Sequence, residues 1–457
     1  MRATNPALQT PPAPNSLFLL LLLTTVWCGP AWTQQSAWHQ FRGPQGQGHA
    51  DGLDLPLRWS EQQNITWRTA VPGRAWSSPV IADGMLWVTT AIDVAASKEE
   101  IERQKARRTD RQPILVASRV DFRAVGIDVG TGKIVHDHFL FSQKDPQAIH
   151  ALNSYASPTP IIESGKLYCH FGTFGTCRLD TATGKLDWIN RKVQVKHENG
   201  PGSTPVLWHD LLITHYDGID QQEVVAFDKH SGKIVWRTPR SGQLRDNPQF
   251  RKAYATPLII KVAGRDLLIS PSADWVYAYE PASGKEIWKV AYGDLGFSNV
   301  PRPVVGHGLA FICTSFGRSK VLAVRLALGK PEIVWEYRRQ APRMSSPVLV
   351  GNELYFVSDN GIATCLDARS GKTHWVKRLG GNYSASPLAA DGRVYFFSRE
   401  GVTTVVKAGP RFGKLAENRL EGQLMASPAA LPGVLFLRTD QAIYRIEDRT
   451  RGKKTSP

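Results

Sequence analysis

The chain has 457 residues, 42% of them hydrophobic, which excludes a disordered tail and exceeds one ordinary domain. Gly (39) and Pro (30) abound, and 14 Trp stand against 4 Met, so turns and short aromatic-anchored strands are favoured over helical bundles. A formal net charge of +16 favours acidic partners without choosing among anionic polysaccharide, lipid head groups and nucleic acid.

Residues 1–33 read as an export signal. Arg2 is their only charge, an apolar run extends from Leu17 to Trp27, and Ala31-Trp32-Thr33 supplies the small residues of a cleavage site. Cys28, Gly29 and Pro30 interrupt the run before the roughly 20 apolar residues that a span requires, and no later segment qualifies as transmembrane. Trp27 stands where a lipoprotein signal carries a small residue, which argues against lipid on Cys28. The expectation is an exported, periplasmic or extracellular monomer. Residues 34–63 form an N-terminal extension. Its Gly43, Gly46 and Gly48 lack the strand and helix of a dinucleotide fingerprint and read as a flexible entry loop.

From residue 64 to 453 a repeat takes over. A Gly-Lys pair follows an acidic or polar residue at Asp128–Lys133, Asp180–Lys185, Asp228–Lys233, Glu280–Lys285, Arg325–Lys330 and Asp367–Lys372, with weaker copies at Gly413-Lys414 and Gly452-Lys453. A small residue, a proline and an apolar run recur at Pro79, Pro158, Pro205, Pro257, Pro303, Pro347, Pro387 and Pro428. Trp188, Trp236, Trp288, Trp335 and Trp375 follow the glycines, with His136 in that place in the first unit. A period of about 40 to 50 residues made of strand-like runs and turns marks a propeller blade. The fold class is therefore all-β, an eight-bladed β-propeller of four-stranded antiparallel blades. The last unit lacks its outer strand. Residues 64–70, in which Ile65-Thr66-Trp67-Arg68-Thr69 copies Ile234–Thr238, are predicted to supply it and close the ring.

An insertion at 94–120 distinguishes the first blade and carries a candidate helix over Ala95–Thr109, acidic at its start and basic at its end. Residues 454–457 complete a basic tail. Cys169 and Cys177, mirrored about Phe171–Gly175, are the one plausible cross-hairpin pair; their bonding stays open. Gly130-Thr131-Gly132-Lys133 is a turn and not a phosphate loop, since Ile127 and Ile134 break that motif. No carboxylate or cysteine joins His136 with His138 or His209 with His215 into a ligand pattern, and Asp217, Asp220 and Asp359 do not form a calcium loop, so no metal site is expected. No G-x-S-x-G run points to a hydrolase, and no aromatic-basic pattern points to nucleic acid.

The strand, Asp-x-x-Thr-Gly-Lys turn and Trp resemble the bacterial β-propeller repeats related to pyrroloquinoline quinone (PQQ) enzymes, and Trp38-His39-Gln40-Phe41-Arg42-Gly43 resembles the opening of secreted propellers of that kind. The resemblance implies a propeller fold and two alternatives for function. Quinone-dependent alcohol dehydrogenases carry PQQ with Ca²⁺ and an adjacent cysteine pair, which this sequence lacks. Propeller lipoproteins of outer-membrane assembly are non-enzymatic scaffolds.

Long links after units one to three and the insertion fall on one face of such a ring, opposite the Gly-Lys turns. Loops on a rigid scaffold carry function. Residues before the prolines and in second-to-third-strand loops are expected to line the channel mouth there: Asn153, Tyr155, Asp217, Tyr254, Trp275, Asn299, Arg302, Arg343, Asp359, Tyr383 and Asp440. The reading is a non-enzymatic binding or scaffolding propeller without a cofactor, its partner a protein, peptide or anionic polysaccharide of the cell envelope. The alternative is a PQQ-dependent oxidoreductase with Ca²⁺.

Overall fold

The computed structural model describes residues 37–448; the signal segment, the final Gly-Lys pair and the basic tail lie outside them. Eight four-stranded antiparallel sheets are present. Seven are meanders in chain order, with a short extra strand between the second and third strands of the first and fifth blades. In the third blade, Val206–Trp208, Leu211–Asp217, Gln222–Asp228 and Ile234–Pro239 follow one another from the channel outwards.

The eighth is closed as expected: Ile65–Ala70 pairs antiparallel with Ala442–Glu447, with Arg68 opposite Tyr444. Without it the strand Ala442–Glu447 would present an unpaired edge. Each Asp turn works through one side chain. Asp228 Oδ1 accepts the Ser231 N–H and hydroxyl, both at 2.7 Å, and Gly232 takes a left-handed φ of +68° to return the chain.

The outer tryptophans join neighbouring blades. Each indole N–H donates to a carbonyl in the turn of the next blade: Trp67 to Val129, Trp188 to Lys229, Trp236 to Pro281, Trp288 to Ala327, Trp335 to Ala368 and Trp375 to Gly409, at 2.9 to 3.2 Å. The rings of Trp67, Trp188, Trp236 and Trp335 then lie on the turn glycines Gly132, Gly232, Gly284 and Gly371. A Cβ on Gly284 would stand 2.5 Å from the Trp236 ring, so this glycine is required by the blade-to-blade contact as well as by its φ of +70°. Between blades one and two His138 takes this place against Gly184, while His136 and His138 stack on Trp87. The expected position was His136; the outer strand Ile134–Lys144 delivers the ring two residues later.

Two further expectations are corrected. The proline in register with the others in the second blade is Pro160, because Ile161 pairs with Tyr168 as Val206 pairs with Ile213; Pro158 lies in the link. The glycine-rich entry is a packed plug rather than a flexible loop. Trp38, 1% exposed, exchanges backbone bonds with Ile81 of the first blade, and Ala50 and Gly48 bond Ala389 of the seventh. Gly46, at φ +68°, leaves room for the Arg302 guanidinium, which a Cβ would meet at 2.3 Å.

In the insertion the helix Lys98–Ala106 is fixed by a capping box between Ser97 and Glu100. Cys169 and Cys177 face each other in register as free, buried thiols.

Candidate functional site

The residue before each strand-opening proline builds the channel wall. In seven blades it is Ser or Thr: Ser78, Thr159, Thr204, Thr256, Ser346, Ser386 and Ser427, each at most 5% exposed. Their hydroxyls form a belt. Ser78 N–H donates to the Thr159 hydroxyl, Thr159 to Thr204 and Thr204 to Thr256, each at 3.0 Å. On the other side Arg302 N–H donates to Ser346, Ser346 to Ser386, Ser386 to Ser427 and Ser427 back to Ser78, at 2.9 to 3.1 Å. Arg302 is the eighth member and has no hydroxyl. Its guanidinium instead donates to the carbonyls of Pro257 (3.1 Å) and Phe41 (2.8 Å).

All seven hydroxyl residues line a cavity of about 430 Å³, together with Phe41 of the N-terminal segment. The rest of its wall comes from the links and second-to-third-strand loops, the face expected from loop length. Trp76, Leu152 and Phe316 supply apolar surface; Asn360, Asn382, Ser298, Asp359 and Arg399 supply polar groups. Burial raises the Asp359 carboxyl above its ordinary range, against the pull of the Arg343 N–H, Arg399 and Arg343. Arg399 donates to the Ser384 hydroxyl at 2.7 Å and otherwise meets the Met344 sulfur.

Of the residues singled out from sequence, Asn153, Tyr254 and Asp359 are in the cavity wall. Asn153 is also structural, holding the carbonyls of Asn199 and Pro201. Arg302 is 2% exposed and bound to the N-terminal segment, outside the wall. Arg343 is exposed, its guanidinium 5.5 Å from the centre of the Phe316 ring. Asp217 is fully buried in a bidentate pair with Arg240. Tyr155, Tyr383 and Asn299 are at most 1% exposed; Trp275 donates to Gln243, and Asp440 accepts from Gln423 N–H. Trp76, Phe41, Phe316, Arg399 and the belt were not singled out, although the small residue before each proline was a visible signal of the belt.

The insertion is tied to the links beside the mouth. Arg108 pairs with Asp110 (2.7 Å) and reaches Glu198 O and Asn199, while Glu198 accepts from Thr109 and Gln249. Burial pushes Lys252, beside Asp110, down to about 8.

The family model described as outer membrane protein assembly factor BamB matches residues 58–238, 199–348 and 272–454. The chain belongs to this family. Among relatives of the BamB family, the assembly factor of Shewanella oneidensis is 22% identical over 321 residues, 65% of this chain and 75% of that protein. That of Yersinia pestis is 23% identical over 236 residues, 49% of this chain. The chain spans about half the length of the Yersinia relative it matches, 55%.

Solved structures share the fold. BamB from Moraxella catarrhalis aligns with a TM-score of 0.54 at 12% identity, covering 84% of this chain and 99% of that one. A europium-containing methanol dehydrogenase aligns at 0.61 and 9% identity, covering 90% and 91%. At such identities the likeness is one of fold, and a fold hosts unrelated activities.

Among the described residues no three His, Cys, Asp or Glu side chains converge as a metal site. The cavity wall carries one carboxylate, Asp359, whereas Ca²⁺ takes six to eight oxygen ligands with carboxylates prominent among them. This donor set does not fit a calcium-held quinone.

Proposed function

We propose that this BamB-family propeller is an exported, non-enzymatic binding or scaffolding module of the cell envelope that engages its partner at the channel mouth. The observation that supports it most is the cavity itself. It is rigid at its base, where the hydroxyl belt ties all eight blades, and apolar at its rim, where Leu152 is 44% exposed next to Trp76. A concave site with an apolar lining and a few convergent polar groups is the usual form of a recognition site. The BamB relatives, named as outer-membrane assembly factors, favour a protein or peptide partner. An anionic envelope polysaccharide would also suit the charge of +16.

The test is site-specific photocrosslinking in cells. A photoreactive residue at Leu152 or Phe316 on the mouth is compared with one at Lys185 or Lys233 on the opposite, turn face. Crosslinks to an envelope component from the mouth positions alone are expected; equal yields from both faces would overturn the reading.

A further inference from the structure

The chemistry of the cavity floor is more specific than its shape. A hydroxyl has one proton to give and two lone pairs. In the belt each of the seven hydroxyls accepts a backbone N–H, and none gives its proton to another described residue. Seven buried O–H donors therefore border one cavity with no acceptor of their own.

Three buried arginines stand behind the belt, outside the cavity wall. Arg42 donates to Pro347 O, next to Ser346; Arg302 donates to Pro257 O, next to Thr256; Arg438 donates to Ser77, next to Ser78. All three are at most 3% exposed, and none forms an ion pair with a carboxylate among the described residues. Nε and Nη1 of Arg42 have no hydrogen-bond partner among the described residues. Burial pulls each of these guanidiniums down to about 9, so all remain cations at neutral pH, and Arg302 further depresses Arg42. Burying a cation without a counter-charge is costly. Three of them around one hydroxyl ring call for an anion from outside the chain.

We propose that the channel cavity binds the carboxylate of an acidic sugar, with the carboxylate seated on the hydroxyl belt and the ring held by the wall above it. A carboxylate has about four lone-pair sites and no proton, the complement of a ring of donors. The wall suits a sugar ring: the faces of Trp76 and Phe316 match its C–H surface, and Asn360, Asn382 and Ser298 match its hydroxyls. About 430 Å³ admits one or two such rings. Asp359, the one carboxylate of the wall, is accompanied by Arg399 and Arg343 and does not reverse the sign. The proposal rests on the mouth being a binding site and adds what it binds.

Titration calorimetry with the full folded protein compares glucuronate with its neutral counterpart glucose, and N-acetyl-dialanine with its amide. Glucuronate is expected to bind at least tenfold more tightly than glucose, and Ser386→Ala with Ser427→Ala to weaken it at least tenfold. Equal affinity for glucose, no binding of either sugar, or preference for the peptide carboxylate would each overturn the proposal.

Should the double variant fail to fold, diffraction from native crystals containing bromoacetate decides. An anomalous bromine peak in the cavity next to the belt is expected, and its absence there overturns the proposal. The two readings fail separately: mouth crosslinks without glucuronate binding leave the scaffold and remove the acidic sugar, and binding without crosslinks does the reverse.

Discussion

The Arg302 guanidinium donates to the carbonyl of Phe41 over 2.8 Å, and this bond ties the N-terminal segment to the blade whose belt position lacks a hydroxyl. The same side chain reaches Pro257, so the fourth and fifth blades are joined by a guanidinium where their neighbours are joined by a hydroxyl. Phe41 in turn lines the cavity. One substitution in the ring thus couples its integrity to a floor supplied from outside the repeats.

Arg302→Ser separates these roles. The serine restores a hydroxyl beside Thr256 N but removes both carbonyl contacts of the guanidinium. A hydrogen bond to a charged group contributes about 1.5 to 3 kcal/mol, so a net loss of about that size is expected in urea unfolding. Faster native-state cleavage within residues 38–50 should accompany it. Unchanged cleavage would show that Trp38 and Ala389 hold the segment alone.

The tryptophan contacts make a graded prediction. Trp288 is 5% exposed and bonded to Ala327 O, so Trp288→Ala should cost about 3 to 5 kcal/mol, as for a large core truncation. Trp236 is only partly buried, and Trp236→Ala should cost less. Equal losses in denaturant unfolding would mean that the N–H bond, common to both, outweighs burial.

Arg108→Ala should release the insertion without unfolding the ring. Its side chain is 6% exposed and joins Asp110, Glu198 O and Asn199 in one network, but the blade strands Met85–Ala95 and Ala117–Asp128 pair independently of it. Hydrogen exchange should rise at 97–112 and 197–199 and stay constant in the other blades. A rise throughout the propeller would show that the insertion is part of the core.

The ring was legible because its repeated residues do repeated physical jobs: the Asp turn, the proline at the innermost strand and the tryptophan bonded to the next blade's turn recur in register. Closure by Trp67 was legible for the same reason. The site was less so. Asp217 and Tyr155 lie where a mouth residue was expected, but one is held by Arg240 and the other packs into the core, and partners distant in sequence decide both. Gly43, Gly46 and Gly48 read as flexible because the groups they make room for, Trp38, Arg302 and Arg42, include one that sits more than 250 residues away. Arg302 was singled out for its position before a proline and expected at the mouth; what sequence did not show is that Phe41 returns to meet its guanidinium, which lies outside the cavity wall.

The buried histidines, His215 among them, add to the response to acid. His197 lies in the link beside the mouth, 5% exposed, and its Nε2 accepts the Thr173 N–H at 3.1 Å, which requires that nitrogen to be unprotonated. Burial lowers its pKa to about 4, and that of His170 to about 3. In the unfolded chain both titrate near 6.5. Between about pH 6.5 and 4 the unfolded state therefore binds more protons than the folded one, and stability falls as pH falls, by up to about 1.4 kcal/mol per pH unit for each histidine. Well above pH 6.5, from about pH 7.5, both rings are neutral in both states and contribute almost no slope. His197→Gln, which offers an amide oxygen as acceptor to Thr173, should flatten this dependence by one histidine's share while changing stability little at pH 7.5. Urea unfolding from pH 4.5 to 7.5 measures it, and an unchanged slope in the variant would mean that His197 is protonated in the folded protein and that the Thr173 bond does not hold in solution.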